Sequence, residues 1–148
     1  MNIAVIAHDK KKELMVQFCI AYCGALSSHT LFATATTGKL VAEATGLPVT
    51  FFLSGQQGGV QQIAARVTYN EVDLVLLFRD PLTNIPLETD TTLLHLCDIY
   101  NVPVATNVAT AEVLIHGLAR GDIAWREIVR GNKPIDPKYI DDDGGKHP

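Results

Sequence analysis

Several short polar segments of the sequence follow apolar runs and contain side chains suited to catalysis or to ligand binding. His8 and Asp9 come directly after "IAVIA", and Asp80 comes shortly after "VDLVLLF". The hydroxyl-bearing residues Thr36 and Ser54 follow "LFATA" and "VTFFL". Imidazole and carboxylate groups suit acid–base chemistry, whereas hydroxyls beside free backbone N–H groups suit an anion.

A phosphate is the anion that these groups favour. Thr36 and Thr37 precede a helical pattern, so their hydroxyls and N–H groups would lie at the positive end of a helix. Ser54 and Gly55 offer a second such turn, and Lys12, one turn into the first predicted helix, would add an ammonium group. In the alternative, Thr36 and Thr37 only cap the helix. Because these two turns and the lysine would converge on one point, the sequence favours a small phosphorylated substrate or inorganic phosphate as the ligand.

Acid–base chemistry is expected from His8, Asp9 and Asp80. Asp9 could orient the histidine or act as a base. Asp80 follows a buried strand, where a carboxylate can be partly withdrawn from water, as functional carboxylates often are. The alternatives are structural: Asp9 caps a helix beside a satisfied histidine, and Asp80 is a turn residue before Pro81.

The cysteines and the remaining histidines show no metal-ligand spacing. Cys19 and Cys23 lie four residues apart on a predicted helix, and Cys97 stands alone. Free buried thiols are expected for all three, which favours a reducing, cytoplasmic location. We predict neither a metal nor an organic cofactor.

Strand and helix patterns alternate along the chain. Continuous apolar runs predict strands over 3–7, 31–35, 49–53, 72–78 and 102–107. Helical spacing predicts helices over 11–26, 36–46, 60–69, 90–100 and 109–121. This order predicts a doubly wound, Rossmann-like α/β sandwich of three layers with a mainly parallel five-stranded sheet. In such sheets ligands bind at the carboxyl ends of the strands, where the polar groups above would meet.

Composition narrows the class of protein. The 148 residues predict one domain over 1–131, followed by a flexible Pro-, Gly- and Asp-rich tail over 132–148. The net charge of −4 argues against nucleic-acid binding. The apolar runs are too short to span a membrane. The first charges follow the first apolar run, which is the reverse of a secretory signal.

Taken together, the motifs resemble the methylglyoxal synthase family. The matching stretches are "IAVIAHDKKK", "ATATTGKL.AEATGL", "LSGQQGGVQQIAARV", "DLVLLFRDPLT" and "VPVATNVATAE", in order over about residues 2 to 130. The resemblance implies a lyase that converts dihydroxyacetone phosphate to methylglyoxal and phosphate through an enediol phosphate. It also implies a homo-oligomer, usually a homohexamer.

The resemblance implies roles for particular residues. Phosphate contacts are implied for Lys12, Thr34, Thr36, Thr37, Ser54 and Gly55. A role at the substrate is implied for His8 and Asp9, with carboxylates at Asp80 and Asp90. These positions agree with the polar groups at the predicted strand ends.

Two departures from the family pattern remove chemical groups. The family loop normally reads Ser-Gly-Pro-x-Gly-Gly-Asp with the aspartate as catalytic base, and Val60 stands at that place. The family motif Pro-His-x-Pro-Asp is "PLETD" in this chain, so Leu87 replaces the histidine while Asp90 remains. An aliphatic side chain accepts no proton, so the family reaction is expected to be much reduced or diverted.

Three interpretations stay open. The first is a diverged lyase or isomerase for another small phosphate ester, with Asp9, Asp80 or Asp90 as the base. The second is a methylglyoxal synthase with little activity. The third is a phosphate-ligand sensor that does no catalysis, like the regulatory domain of carbamoyl phosphate synthetase, which resembles this fold.

Overall fold

A computed structural model describes residues 1–83 and 88–130 of the chain. Five strands form one sheet in the order β3-β2-β1-β4-β5, and every neighbouring pair is parallel. The strands are β1 (Asn2–Ala7), β2 (Thr30–Ala33), β3 (Val49–Phe51), β4 (Leu74–Phe78) and β5 (Val104–Ala105). The predicted doubly wound α/β fold is confirmed. Leu87 and the predicted tail over 132–148 lie outside the described residues.

Helices follow the strands as the alternation predicted. They are α1 (Lys12–Ala21), α2 (Cys23–Leu26), α3 (Ala35–Thr45), α4 (Gly59–Thr68), α5 (Glu88–Ile99), α6 (Val108–Arg120) and α7 (Trp125–Arg130). The helix predicted over 11–26 is interrupted at Tyr22, and a 3₁₀ turn over Asp9–Lys11 precedes it. Helix α7 was not predicted.

The sheet is covered on both faces. Ile3, Val5 and Ala7 of β1 belong to the apolar cluster that includes α1, α3 and α6, whereas Ala4 and Ile6 belong to the cluster that includes α4 and α5. Burial on both sides explains why the strands read as unbroken apolar runs.

Strand β1 is the point at which the chain reverses its direction across the sheet. It pairs with β2 on one side and with β4 on the other. The helices that follow β1 and β4, α1 and α5, therefore lie on opposite faces. Open α/β sheets have their ligand crevice at the carboxyl ends of the strands beside such a switch point.

The three cysteines are free. Burial raises the pKa of the Cys19 and Cys97 thiols to about 12, so neither is a reactive thiolate near neutral pH. Across residues 1–83 and 88–130, no helix has the length and apolar character needed to cross a membrane.

Helix α7 is attached to the opposite end of the sheet through one buried arginine. Arg126 is 3% exposed and its Nε donates to Asp73 Oδ1 at 3.2 Å. Its Nη1 donates to Asn101 O at 2.6 Å, and its Nη2 donates to Asn70 Oδ1 and Val72 O. Asn70 and Asn101 both have positive φ, so one guanidinium holds two left-handed turns.

Arg126→Met should lower the free energy of unfolding by about 3 to 5 kcal/mol, because it leaves the Asp73 carboxylate buried without its guanidinium partner. Arg120→Met is the matched control. Arg120 pairs with Asp122 at 2.8 Å on the surface, and its loss should cost at most about 1 kcal/mol. Urea unfolding measures both variants, and equal losses would refute the role given to Arg126.

Candidate active site

Lys12 stands where the loops after β1 and β2 meet. Its Nζ donates to Ala7 O at 2.6 Å and to Thr37 Oγ1 at 3.3 Å, and it lies 3.4 Å from Asp9 Oδ1. The lysine side chain is 18% exposed, whereas that of Asp9 is 87% exposed. The ammonium group is therefore fixed at the end of β1 with one side open to a ligand.

The start of α3 supplies hydroxyl and N–H groups next to this lysine. Thr34 is the N-cap, yet its side chain makes no capping bond. Thr34 and Thr37 are both buried, and no hydrogen bond to the Thr34 hydroxyl occurs within the described ranges. A buried hydroxyl without a partner is costly, which is consistent with a polar ligand at this place.

The first turn of α3 has free backbone donors. Gly38 N donates to Thr34 O at 2.7 Å and Ala35 N donates to Leu53 O at 3.2 Å. The N–H groups of Thr36 and Thr37 have no intrahelical acceptor, because they lie in the first turn. The N-cap of this helix is Thr34 rather than Thr36 or Thr37. Thr36 is exposed, and Thr37 contacts Lys12.

The loop after β3 lies beside the loop after β2. Phe52 N donates to Ala33 O at 2.8 Å, which continues the pairing of the two strands past their ends. Ser54 then begins a 3₁₀ turn over Gly55–Gln57, and its carbonyl accepts from Gln57 N and Gly59 N. Ser54 is partly buried and Gly55 is exposed.

The two glycines at the start of α4 are required by the backbone conformation and packing of the loop. Gly58 is the N-cap with φ of 107°, a conformation that other residues rarely adopt. A Cβ on Gly59 would lie 1.9 Å from Leu53 O. Glycines in such a loop can also let a ligand approach the backbone closely. For Gly59 the structure gives a different reason, since the helix start packs directly on the Leu53 carbonyl.

Val60 occupies the second position of α4 and belongs to the apolar core. It is 5% exposed and shares a cluster with Ile6, Ile63 and Leu93. The side chain therefore contributes apolar packing at the start of α4.

His8 connects the end of β1 to β4 and α5. Its backbone N–H donates to Phe78 O at 3.0 Å. Its Nδ1 accepts from Asp80 N at 2.8 Å, and its Nε2 lies 2.7 Å from Asp90 Oδ2. Because Nδ1 accepts, the ring proton is assigned to Nε2, which donates to the Asp90 carboxylate.

The predicted carboxylates differ in their surroundings. The Asp90 side chain is 4% exposed, and Arg79 Nε lies 3.9 Å from its Oδ2. Asp80 Oδ1 accepts from Leu82 N at 3.0 Å, which is the turn role considered as an alternative. Asp9 does not cap a helix, because His8 is the N-cap of the 3₁₀ turn.

The structure thus brings most of the predicted residues to one edge of the sheet in two groups. We call the Lys12, Thr34, Thr36, Thr37, Ser54 and Gly55 group the cradle, and His8, Asp80 and Asp90 the acid–base group. Asp9 points to solvent at their border. Arg79, which directly precedes Asp80 at the end of β4, was not assigned a role from the sequence. In the described part of the chain, no cluster of His, Cys, Asp and Glu could hold a metal ion.

Comparison with known proteins identifies the family. The family model described as MGS-like domain matches residues 15–106. A methylglyoxal synthase of Caldicellulosiruptor saccharolyticus is 63% identical over 130 residues, which cover 87% of this chain and 92% of that protein. The chain belongs to the methylglyoxal synthase family.

Two further relatives agree with this assignment to the methylglyoxal synthase family. A methylglyoxal synthase of Geobacillus sp. (strain WCH70) is 58% identical over 134 residues, covering 90% of this chain and 96% of that protein. The crystal structure of methylglyoxal synthase from Elizabethkingia anophelis NUHP1 matches with a TM-score of 0.71 and 36% identity, covering 77% of this chain and 76% of the other.

Gly59→Ala should destabilise the protein by about 3 kcal/mol, because the new methyl group must displace the backbone at Leu53. Gly24→Ala is the matched control, since nothing lies within 4 Å of its added methyl group in α2. The control should gain up to about 1 kcal/mol from helix propensity. Urea unfolding compares the two, and a neutral Gly59→Ala would show that the helix start is free to move.

Proposed function

We propose that this chain binds a small phosphorylated carbonyl compound and is a methylglyoxal synthase-like lyase. Dihydroxyacetone phosphate is the substrate that the family resemblance implies. Its conversion to methylglyoxal and phosphate is much reduced or diverted in this chain, because Val60 and Leu87 stand where the family pattern has an aspartate and a histidine.

The position of Lys12 carries the binding part of the proposal. Its Nζ is held by Ala7 O and Thr37 Oγ1, beside the buried Thr34 hydroxyl and the free N–H groups of α3. An ammonium group, hydroxyls and a helix N-terminus together suit a phosphate dianion. The partly buried Ser54 on the neighbouring loop completes the cradle.

The proposed loss of the family reaction depends on the absence of a general base at position 60. Loss of a general base costs a factor of about 10² to 10⁴ in rate. Val60 is 5% exposed and packed among aliphatic side chains, so it supplies neither a proton acceptor nor a place for water. This favours, as the second candidate, a phosphate-ligand-binding protein without turnover.

Inorganic phosphate should raise the melting temperature of the wild type, because a ligand that binds only the folded state stabilises it. The double variant Lys12→Met with Thr37→Val should show no such shift. Lys39→Met is the control, since Lys39 is an exposed lysine on α3, and it should keep the full shift. An unchanged shift in the double variant would place the anion elsewhere.

Val60→Asp with Leu87→His should raise methylglyoxal production from a very weak wild-type level, because the pair returns a base and a polarising group. A carboxylate at the second position of α4 gains from the helix dipole. Burial should nevertheless cost about 1 to 3 kcal/mol of stability. Methylglyoxal release by the wild type, both single variants and the double variant measures the effect. The gains should not add.

Val60→Asn with Leu87→His is the matched control for this experiment. Asparagine has nearly the size and polarity of aspartate but no carboxylate, so methylglyoxal release should stay at the level of the Leu87→His single variant. A wild type that already turns over at about 10 per second, a typical enzyme rate, would contradict the loss of the base.

We propose a homo-oligomeric assembly, a hexamer, on the family resemblance. Light scattering at micromolar concentration should give six times the chain mass of 16.1 kDa. A mass near that of one chain would refute the assembly. The cytoplasmic location stays a prediction from the free cysteines.

A further inference from the structure

We propose that Gln62 is a positioning residue that holds the two loops of the cradle in register, so that they bind one phosphate group together. The inference rests on the proposed function, because it takes the cradle as the anion site. It adds a residue that was not predicted from the sequence and that lies on the exposed side of α4.

The backbone of Leu53 joins the two loops of the cradle. Leu53 O accepts from Ala35 N at 3.2 Å, and Ala35 is the first residue of α3. Leu53 N donates to Gln62 Oε1 at 2.7 Å. Ser54 follows Leu53 directly in the chain. The residue that leads into the Ser54 loop is therefore bonded to α3 through its carbonyl group and to α4 through its amide group.

Gln62 reaches the end of β3 from the first turn of α4. Its own N–H donates to Gly58 O at 3.1 Å, which fixes its backbone in that turn. β3 lies at the edge of the five-stranded sheet, and edge strands leave backbone N–H groups open to water. The Gln62 side chain supplies an acceptor for the Leu53 N–H group and so fastens the end of this edge strand to α4.

The same end of α4 also fixes the side chain of Thr34. A Cβ on Gly59 would lie 2.9 Å from Thr34 Cγ2, so the first residue of α4 packs against the threonine methyl group. The methyl and hydroxyl groups branch from one carbon, and such side chains are stiff at χ1. Contact at the methyl group therefore sets the direction of the buried Thr34 hydroxyl. Helix α4 thus acts on both loops, on Thr34 through Gly59 and on Leu53 through Gln62.

The register of the two loops matters because one phosphate group needs donors from both of them at once. A loop that already has its bound conformation loses little entropy when the anion binds. If the end of β3 were free to move, only a fraction of the molecules would present both loops together. The apparent dissociation constant would then equal the intrinsic constant divided by that fraction. One neutral hydrogen bond changes such an equilibrium by a factor of about 3 to 10.

Isothermal titration calorimetry of the full chain with inorganic phosphate tests the inference. Gln62→Met removes the acceptor oxygen but keeps the length and helix propensity of the side chain, and it should raise the dissociation constant about threefold to tenfold. Gln62→Asn has a shorter amide side chain and should weaken binding likewise. Gln61→Met is the matched control and should bind phosphate like the wild type. Gln61 is the neighbouring exposed glutamine, and it makes no hydrogen bond within residues 1–83 and 88–130.

Hydrogen exchange at the Leu53 amide, followed by NMR without phosphate, reports the hydrogen bond itself. This amide should exchange about threefold to tenfold faster in Gln62→Met than in the wild type. Gln62→Glu keeps an acceptor oxygen at the same reach and should restore slow exchange. The amides of β1 and β4 should exchange equally slowly in all of these variants, because the change is local. Faster exchange throughout β1 and β4 in Gln62→Met would indicate a loss of overall stability and would contradict a positioning role.

The outcomes separate this inference from the function on which it rests. A wild type that binds no phosphate would defeat the proposed binding function and this inference with it. If the wild type binds phosphate and Gln62→Met binds it equally well, the positioning role alone is overturned, and Gln62 only covers an edge strand. Binding that is weakened to the same extent in Gln61→Met would also overturn it, since the effect would then not depend on the Leu53 hydrogen bond.

Discussion

Ala7 and His8 are consecutive residues, and the site depends on the hydrogen bonds that each of them makes. The Ala7 carbonyl accepts from Lys12 Nζ, and the His8 N–H donates to Phe78 O at the end of β4. This arrangement is possible because β1 pairs in parallel with β2 and with β4. The cradle, which we propose binds phosphate, lies on one side of this junction and His8, Asp80 and Asp90 lie on the other. A shift of β1 by one residue would exchange its two faces and separate both groups from their partners.

Much of the fold could be predicted from the sequence, because strands buried on both faces leave unbroken apolar runs. The ends of the elements were less predictable. The run over 102–107 predicted a long fifth strand, yet β5 spans only Val104–Ala105, with single backbone hydrogen bonds from Val75 and Arg79 to Pro103 and Thr106 on either side. Helix α7 has six residues, too few to display a helical period. Its anchor, Arg126, contacts residues more than 20 positions away in sequence.

The candidate site was predictable in its membership and less so in its contacts. Parallel strands bring their carboxyl ends together, so the residues at those ends already included the members of the cradle other than Lys12, which lies one turn into the first helix. The contact between His8 and Asp90 spans 82 residues of sequence, and no local pattern indicates it. The tautomer of His8 depends on a backbone N–H group. Glycine is likewise required at position 59 because the backbone carbonyl of Leu53 leaves no room for a Cβ. No pattern of side chains in the sequence indicates this contact.

The central claim is that the phosphate-binding half of the site is intact while the reacting half has changed. A crystal structure of the wild type with dihydroxyacetone phosphate tests it most directly. We expect an uncleaved ester with its phosphate on Lys12 Nζ and Thr37 Oγ1, its carbonyl end toward the acid–base group, and the Val60 side chain in the core. A phosphate bound away from Lys12, or a crevice that holds only cleaved phosphate, would contradict it.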